Sequence, residues 1–254
     1  GINTIAVYIA NMVEIPYRSL AAISRPQISQ SMKDDNILEV NYLAKNVSLH
    51  QFMASALILF IIWINIDLIY SVIPNGNVYD EAKFVVFILA LVKIINTSLN
   101  VGATVLSYSK YYYYSLPFTI ILTTSVIVLN IKFIPLWGME GAALASLISY
   151  LIYYSFLLTF VKWKVNVTPF SVKEFYTLLI IIALFLIDAL LQNSISNCFI
   201  QLFEIEMLGQ LLDSIFRTVA LLSLGIFTIY KLKISKQVND IIDKFLSLIK
   251  LTKN

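Results

Sequence analysis

Apolar runs of membrane length recur from one end of this chain to the other, and they leave few folds open. A bilayer core takes about 20 apolar residues per helix. Segments at about 2–25, 47–73, 82–106, 115–134, 139–161, 174–192 and 212–230 meet that length. The surplus cannot be hidden in one soluble core: 59% of the 254 residues are hydrophobic and only 13% are charged, against about 45–50% and about 25% in a soluble domain. In lipid the backbone must satisfy its own hydrogen bonds, which leaves helices or a closed barrel. The runs are too long for barrel strands and lack their alternation. The expected fold is all-α, a polytopic transmembrane helix bundle of about seven spans.

Three regions are expected within it. Residues 1–163 hold about five spans, 164–231 hold two more with an outer loop, and 232–254 form a tail. In the tail, Val238, Ile241, Ile242, Phe245 and Ile249 share a helical face beside Lys236, Lys244 and Lys250. Such a helix lies on a membrane surface. Ile37, Val40, Ala44 and Val47 make a similar stripe before the second span. Lysine and arginine set the orientation. Thirteen of them fall in the connections after spans one, three, five and seven, and two, Lys83 and Lys132, in the others. The basic side, with the C-terminus, is therefore expected in the cytoplasm. Tyr111–Tyr114 and Trp163 would mark the inner interface, and Trp63, Tyr70, Tyr79 and Trp137 the outer one.

Ionisable residues inside these runs carry the functional signal. Each costs roughly 2.5–3.5 kcal/mol on insertion scales and usually faces a bundle interior or a water-filled path. In the first span Glu14, Arg18 and Arg25 fall within about 40° of one another at 100° per residue, on a face shared with Asn11. Glu14 and Arg18 are one turn apart and can pair. Pro16 between them should kink or loosen the helix. In the third span Lys93 leads a stripe of Asn96, Thr97, Asn100, Thr104 and Ser107, all within about 60° of it. Two readings stand side by side. Either these groups line a hydrated cavity suited to an anion, or they clamp helices to one another while Arg25 reaches the inner surface. In the last two spans Asp188, Asp213 and Arg217 lie at similar depth and read as a structural salt bridge.

Other chemistries find no support. One cysteine (Cys198) and one histidine (His50) give no internal disulfide and no His/Cys metal centre. No phosphate-binding glycine loop and no clustered acid, base or nucleophile is present, so neither a catalytic residue nor a cofactor is expected. The net charge of +3 gives no sign of nucleic acid.

Two stretches carry a resemblance. Ile5-Ala6-Val7-Tyr8-Ile9-Ala10-Asn11-Met12-Val13-Glu14-Ile15-Pro16-Tyr17-Arg18-Ser19-Leu20 runs on to Ile23-Ser24-Arg25-Pro26-Gln27-Ile28, and Trp137-Gly138-Met139-Glu140-Gly141-Ala142-Ala143-Leu144-Ala145-Ser146-Leu147-Ile148-Ser149-Tyr150 opens the fifth span. Together they resemble bacterial polysaccharide-biosynthesis membrane proteins of the Wzx O-antigen flippase type, in the MATE-like multidrug/oligosaccharidyl-lipid/polysaccharide superfamily. The resemblance implies a MATE-like C-terminal lobe, with an N-terminal half of the same chain upstream of Gly1. It implies export of an undecaprenyl-diphosphate-linked oligosaccharide across the bacterial inner membrane, for lipopolysaccharide or a related envelope glycan. The family offers no universal motif to carry over. The substrate-binding candidates therefore rest on electrostatics: Arg18, Lys93, Asn96, Asn100, Asn11 and Arg25, with Glu14 as a candidate ion-coupling carboxylate. A MATE-type drug or cation antiporter, a membrane enzyme of glycan assembly and a scaffold subunit are the alternatives.

Overall fold

The computed structural model describes residues 2–73, 82–202 and 206–251, and among these no strand occurs. Five helices are long and apolar enough to cross a membrane, so the chain has the architecture of a multi-pass membrane protein. It divides into two compact units, Gly1–Ser171 and Val172–Asn254.

The first unit opens with α1 (Ile2–Asn11), a 3-10 turn at Met12–Glu14 and α2 (Ile15–Lys33). Pro16 causes the break. It sits in the first turn of α2, where its missing N–H does no harm, and it would have broken a continuous helix. The expected kink is therefore present. The expected first cytoplasmic loop is absent: α2 runs on through Pro26 to Lys33, and Asp34–Asn36 alone separate it from α3 (Ile37–Ile64). Asp35 turns the chain at φ 52°, and the Asn36 side chain caps α3 by accepting from the Glu39 N–H at 3.1 Å. The Ile37–Val47 stripe is thus the first part of a 28-residue helix rather than a surface helix. Val40 and Ala44 are fully buried, in a cluster with Ile28, Val105, Leu157 and Val161.

A short α4 (Ile66–Val72) follows. Tyr70, expected at the outer interface, is 2% exposed within it; Tyr79 and the outer loop around it lie outside the described residues. An ion pair from Lys83 to Asp67 links α4 to the start of α5 (Lys83–Tyr108). Helix α5 is the hub of this unit, packing against α1, α2, α3 and α6.

A 3-10 turn, Tyr112–Tyr114, leads into α6 (Ser115–Val165). Two arms meet within α6 at Gly138, whose backbone (φ 54°, ψ −125°) only glycine adopts readily. Just beyond the bend, a Cβ on Gly141 would strike the Phe133 carbonyl. Gly141 therefore packs against the preceding arm of its own helix. Beyond Asn166 the chain leaves the helix and is tied to α3 by the Thr168 N–H, which donates to Asn41 Oδ1 at 2.9 Å.

The second unit holds α7 (Val172–Leu202), α8 (Glu206–Lys231) and α9 (Lys236–Leu251). Helix continues into the stretch expected to form an outer loop, since α7 extends to Leu202. Helix α9 keeps the amphipathic pattern read for the tail, with Ile241 67% exposed on its apolar face.

Candidate functional site

The polar residues of the first two helical segments and of α5 meet in the first unit. Because α5 is the hub, its polar stripe does not face a single neighbour. Thr97 is turned to α3, where its hydroxyl lies 3.0 Å from that of Ser55 in a fully buried contact. Lys93 faces the 3-10 turn and donates to Glu14 Oε1 at 3.1 Å. Asn96 accepts at Oδ1 from the Tyr154 hydroxyl on the second arm of α6, at 2.7 Å. Asn100 accepts at Oδ1 from the Tyr17 hydroxyl on α2, also at 2.7 Å. Among the described residues Thr104 and Ser107 bond only to carbonyls of their own helix.

Glu14 thus pairs with Lys93 and not with Arg18, one turn along. The reason is local. The turn at Met12–Glu14 winds more tightly than an α-helix, and Glu14 itself sits at φ −84°, ψ −7°, away from α-helical values. The i, i+4 register assumed for an unbroken helix is lost at that residue. The side chains of the pair are 28% and 24% exposed, so it lies at the edge of the packed region.

Arg18 is exposed, and among the described residues no hydrogen-bonding or ionic partner reaches it. The same stretch exposes Tyr8, Met12, Ile15 and Ile23, each at least half exposed, so it is open around Arg18. Arg25 lies two turns further on, also exposed; its guanidinium donates to the Tyr17 hydroxyl at 2.8 Å. The result is a relay of Arg25, Tyr17 and Asn100 from the open face to the centre of the unit. Beside it a cavity of about 10 Å³ is lined by Tyr17, Arg25, Gln51 and Thr104, among others. The Gln51 side chain is 2% exposed, and its Oε1 accepts no hydrogen bond among the described residues. Asn11, at the end of α1, is half-buried.

Tyr17 and Tyr154 belong to this centre and were not among the residues read from the sequence. Tyrosines in a membrane protein read first as interfacial anchors, and no spacing ties either one to an asparagine on α5. A separate, largely apolar groove of about 450 Å³ runs along Phe118, Phe156, Phe160 and Trp163, and holds none of these polar groups.

In the second unit the guanidinium of Arg217 bridges two carboxylates. It donates to Asp188 Oδ1 at 2.8 Å and, through Nε, to Asp213 Oδ2 at 3.1 Å. All three side chains are at most 7% exposed. The ion pair expected across the last two spans is present, with both acids on one base. Among the described residues no group of three or more His, Cys, Asp or Glu side chains could hold a metal ion.

No family model matches this sequence, and neither a curated protein nor a solved structure does.

Proposed function

We propose that the chain is the C-terminal lobe of a MATE-like exporter that carries an undecaprenyl-diphosphate-linked oligosaccharide across a bacterial inner membrane by alternating access. The observation that carries this reading is Arg18. Its guanidinium is exposed and has no partner among the described residues; if the α1–α2 stretch crosses the bilayer, it needs water or an anion opposite it, and a lipid diphosphate supplies the anion. Arg25 stands about 10 Å further along the same helix and offers a second fork for phosphate oxygens. The missing partner of this face is then the N-terminal half of the same chain.

Seven spans follow if α6 counts as two, split at Gly138, and if α1 with α2 counts as one broken span. The lysine and arginine bias then places the C-terminus in the cytoplasm. Lys93 enters through Glu14. While Glu14 is ionised the ammonium is neutralised; a proton on Glu14 would release Lys93 to the diphosphate, with Asn11, Asn96 and Asn100 wetting the sugar path. The lipid tail stays in the bilayer, and no catalytic step or cofactor is involved.

The test is reconstitution of the full-length protein in proteoliposomes, with undecaprenyl-diphosphate-linked oligosaccharide followed from one leaflet to the other. Arg18→Gln should abolish most transfer and Arg18→Lys should keep part of it. Unchanged transfer in Arg18→Gln would remove the reading. One observation favours the antiporter alternative: the two buried carboxylates on α7 and α8 suit a cationic cargo. A cationic dye in the same vesicles separates the two.

A further inference from the structure

The charges of the α7–α8 pair do not balance. Asp188 and Asp213 are each within ion-pair distance of Arg217 and of no other cation among the described residues. With both acids ionised, the cluster carries one net negative charge in a site where its members are at most 7% exposed. Removing an uncompensated charge from water is strongly unfavourable. The nearby charges do not help. On α7 the other charged side chains are Lys173 and Glu174, about 20 Å away along the helix. On α8 Lys231 is about as far from Arg217. Helix α9 packs against α8 and brings Lys236, Asp240, Asp243 and Lys244 to that same distant end, where Asp243 accepts from Tyr230.

A second observation says where the compensating charge belongs. Asp213 is 4% exposed, and its Oδ1 has no hydrogen-bond partner among the described residues. Arg217 uses two different N–H groups, one for each carboxylate, so neither acid is held by both prongs of the guanidinium. The bond to Asp188 is the shorter, in the range of a charge-assisted contact; the bond to Asp213 is 3.1 Å, the length of an ordinary one.

We propose that this triad is a proton-binding site, with Asp213 protonated on Oδ1 at neutral pH while Arg217 neutralises Asp188. A proton fits better than a metal cation. It needs one atom, whereas a hard cation gathers several oxygens, and Oδ1 of Asp213 is the one fully buried oxygen of the cluster that has no hydrogen bond among the described residues. Loss of the proton restores the net negative charge of the buried cluster. The site is independent of the export reading, because it is defined by protonation and not by cargo.

Infrared spectroscopy of the full-length protein in lipid nanodiscs tests it, in sodium-free buffer at neutral pH. The wild type should show a carboxylic-acid C=O band that shifts in deuterium oxide. Asp213→Asn should delete the band. Asp188→Asn should delete it too, because Arg217 then has a single carboxylate to neutralise and Asp213 ionises. A wild type without the band, or a band indifferent to both substitutions, would overturn the site. Should Asp213→Asn fail to fold, the wild-type band and its loss in Asp188→Asn decide alone. Thermal melts add a second readout. Asp213→Asn should match the wild type at neutral pH, since the amide resembles the protonated acid; a clear drop with no acid band marks a purely structural ion pair and overturns the proposal.

Discussion

Lys93 shows how an ammonium is held at membrane depth. A 3-10 turn delivers the Glu14 carboxylate to it at 3.1 Å, so neither charge is left alone against apolar surroundings. Both side chains are about a quarter exposed, so the pair itself contributes on the order of 1 kcal/mol, and removing one partner costs more because it strands a half-buried charge. Glu14→Gln or Lys93→Gln alone should lower the melting temperature in detergent. The double substitution should recover part of the loss, and strictly additive losses would mean that the two do not interact. The Tyr154 hydroxyl makes a comparable case. Tyr154→Phe leaves Asn96 without its donor in a part-buried contact, at about 1–2 kcal/mol, whereas Tyr112→Phe on the exposed surface should be silent in the same melt. Equal effects would mean that burial does not distinguish them.

At the scale of elements, the bend in α6 rests on two glycines with different duties. Gly138 supplies a positive φ and Gly141 supplies room. Gly138→Ala should cost about 1–3 kcal/mol in backbone strain. Gly141→Leu should fail more severely, with little folded protein recovered on size-exclusion chromatography, because backbone cannot move aside as a side chain can. Normal yield of Gly141→Leu would show that the arms do not meet as described. Gly138, Gly141, Ala142, Ala145, Ser146 and Ser149 fall on one small-residue face, a pattern that by itself reads as a packing surface for another helix. Gly141 does meet another helical segment, but the contact is the first arm of the same helix, and spacing alone does not distinguish a bend from a neighbour.

At the scale of the whole molecule, the proposed orientation makes the Asp34–Asn36 turn cytoplasmic and the α6 bend external. In a Cys198→Ser background, Leu136→Cys should react with an impermeant maleimide in intact cells and Asp35→Cys only after lysis. The opposite pattern would invert the orientation. What the sequence determined by itself is what physics makes local. A bilayer dictates helix and helix length, so apolar run length reveals the long helices. Proline removes a hydrogen bond wherever it stands, so the break near Pro16 was legible, as was the polar face of α5. The turn at Asp34–Asn36 was not, because the polar stretch before it and the amphipathic one after it look alike in a loop-bound and in a packed helix; only burial of Ile28, Val40 and Ala44 in a shared core decides that both are helical. Nor was the pairing legible. Glu14 has Arg18 one turn away in sequence and Lys93 far off, yet it meets Lys93. Arg25 reaches Asn100 only through Tyr17. Side-chain partners depend on which helices lie side by side and on the rotation of each about its axis. Those are properties of the packed bundle, and tertiary structure alone decides them.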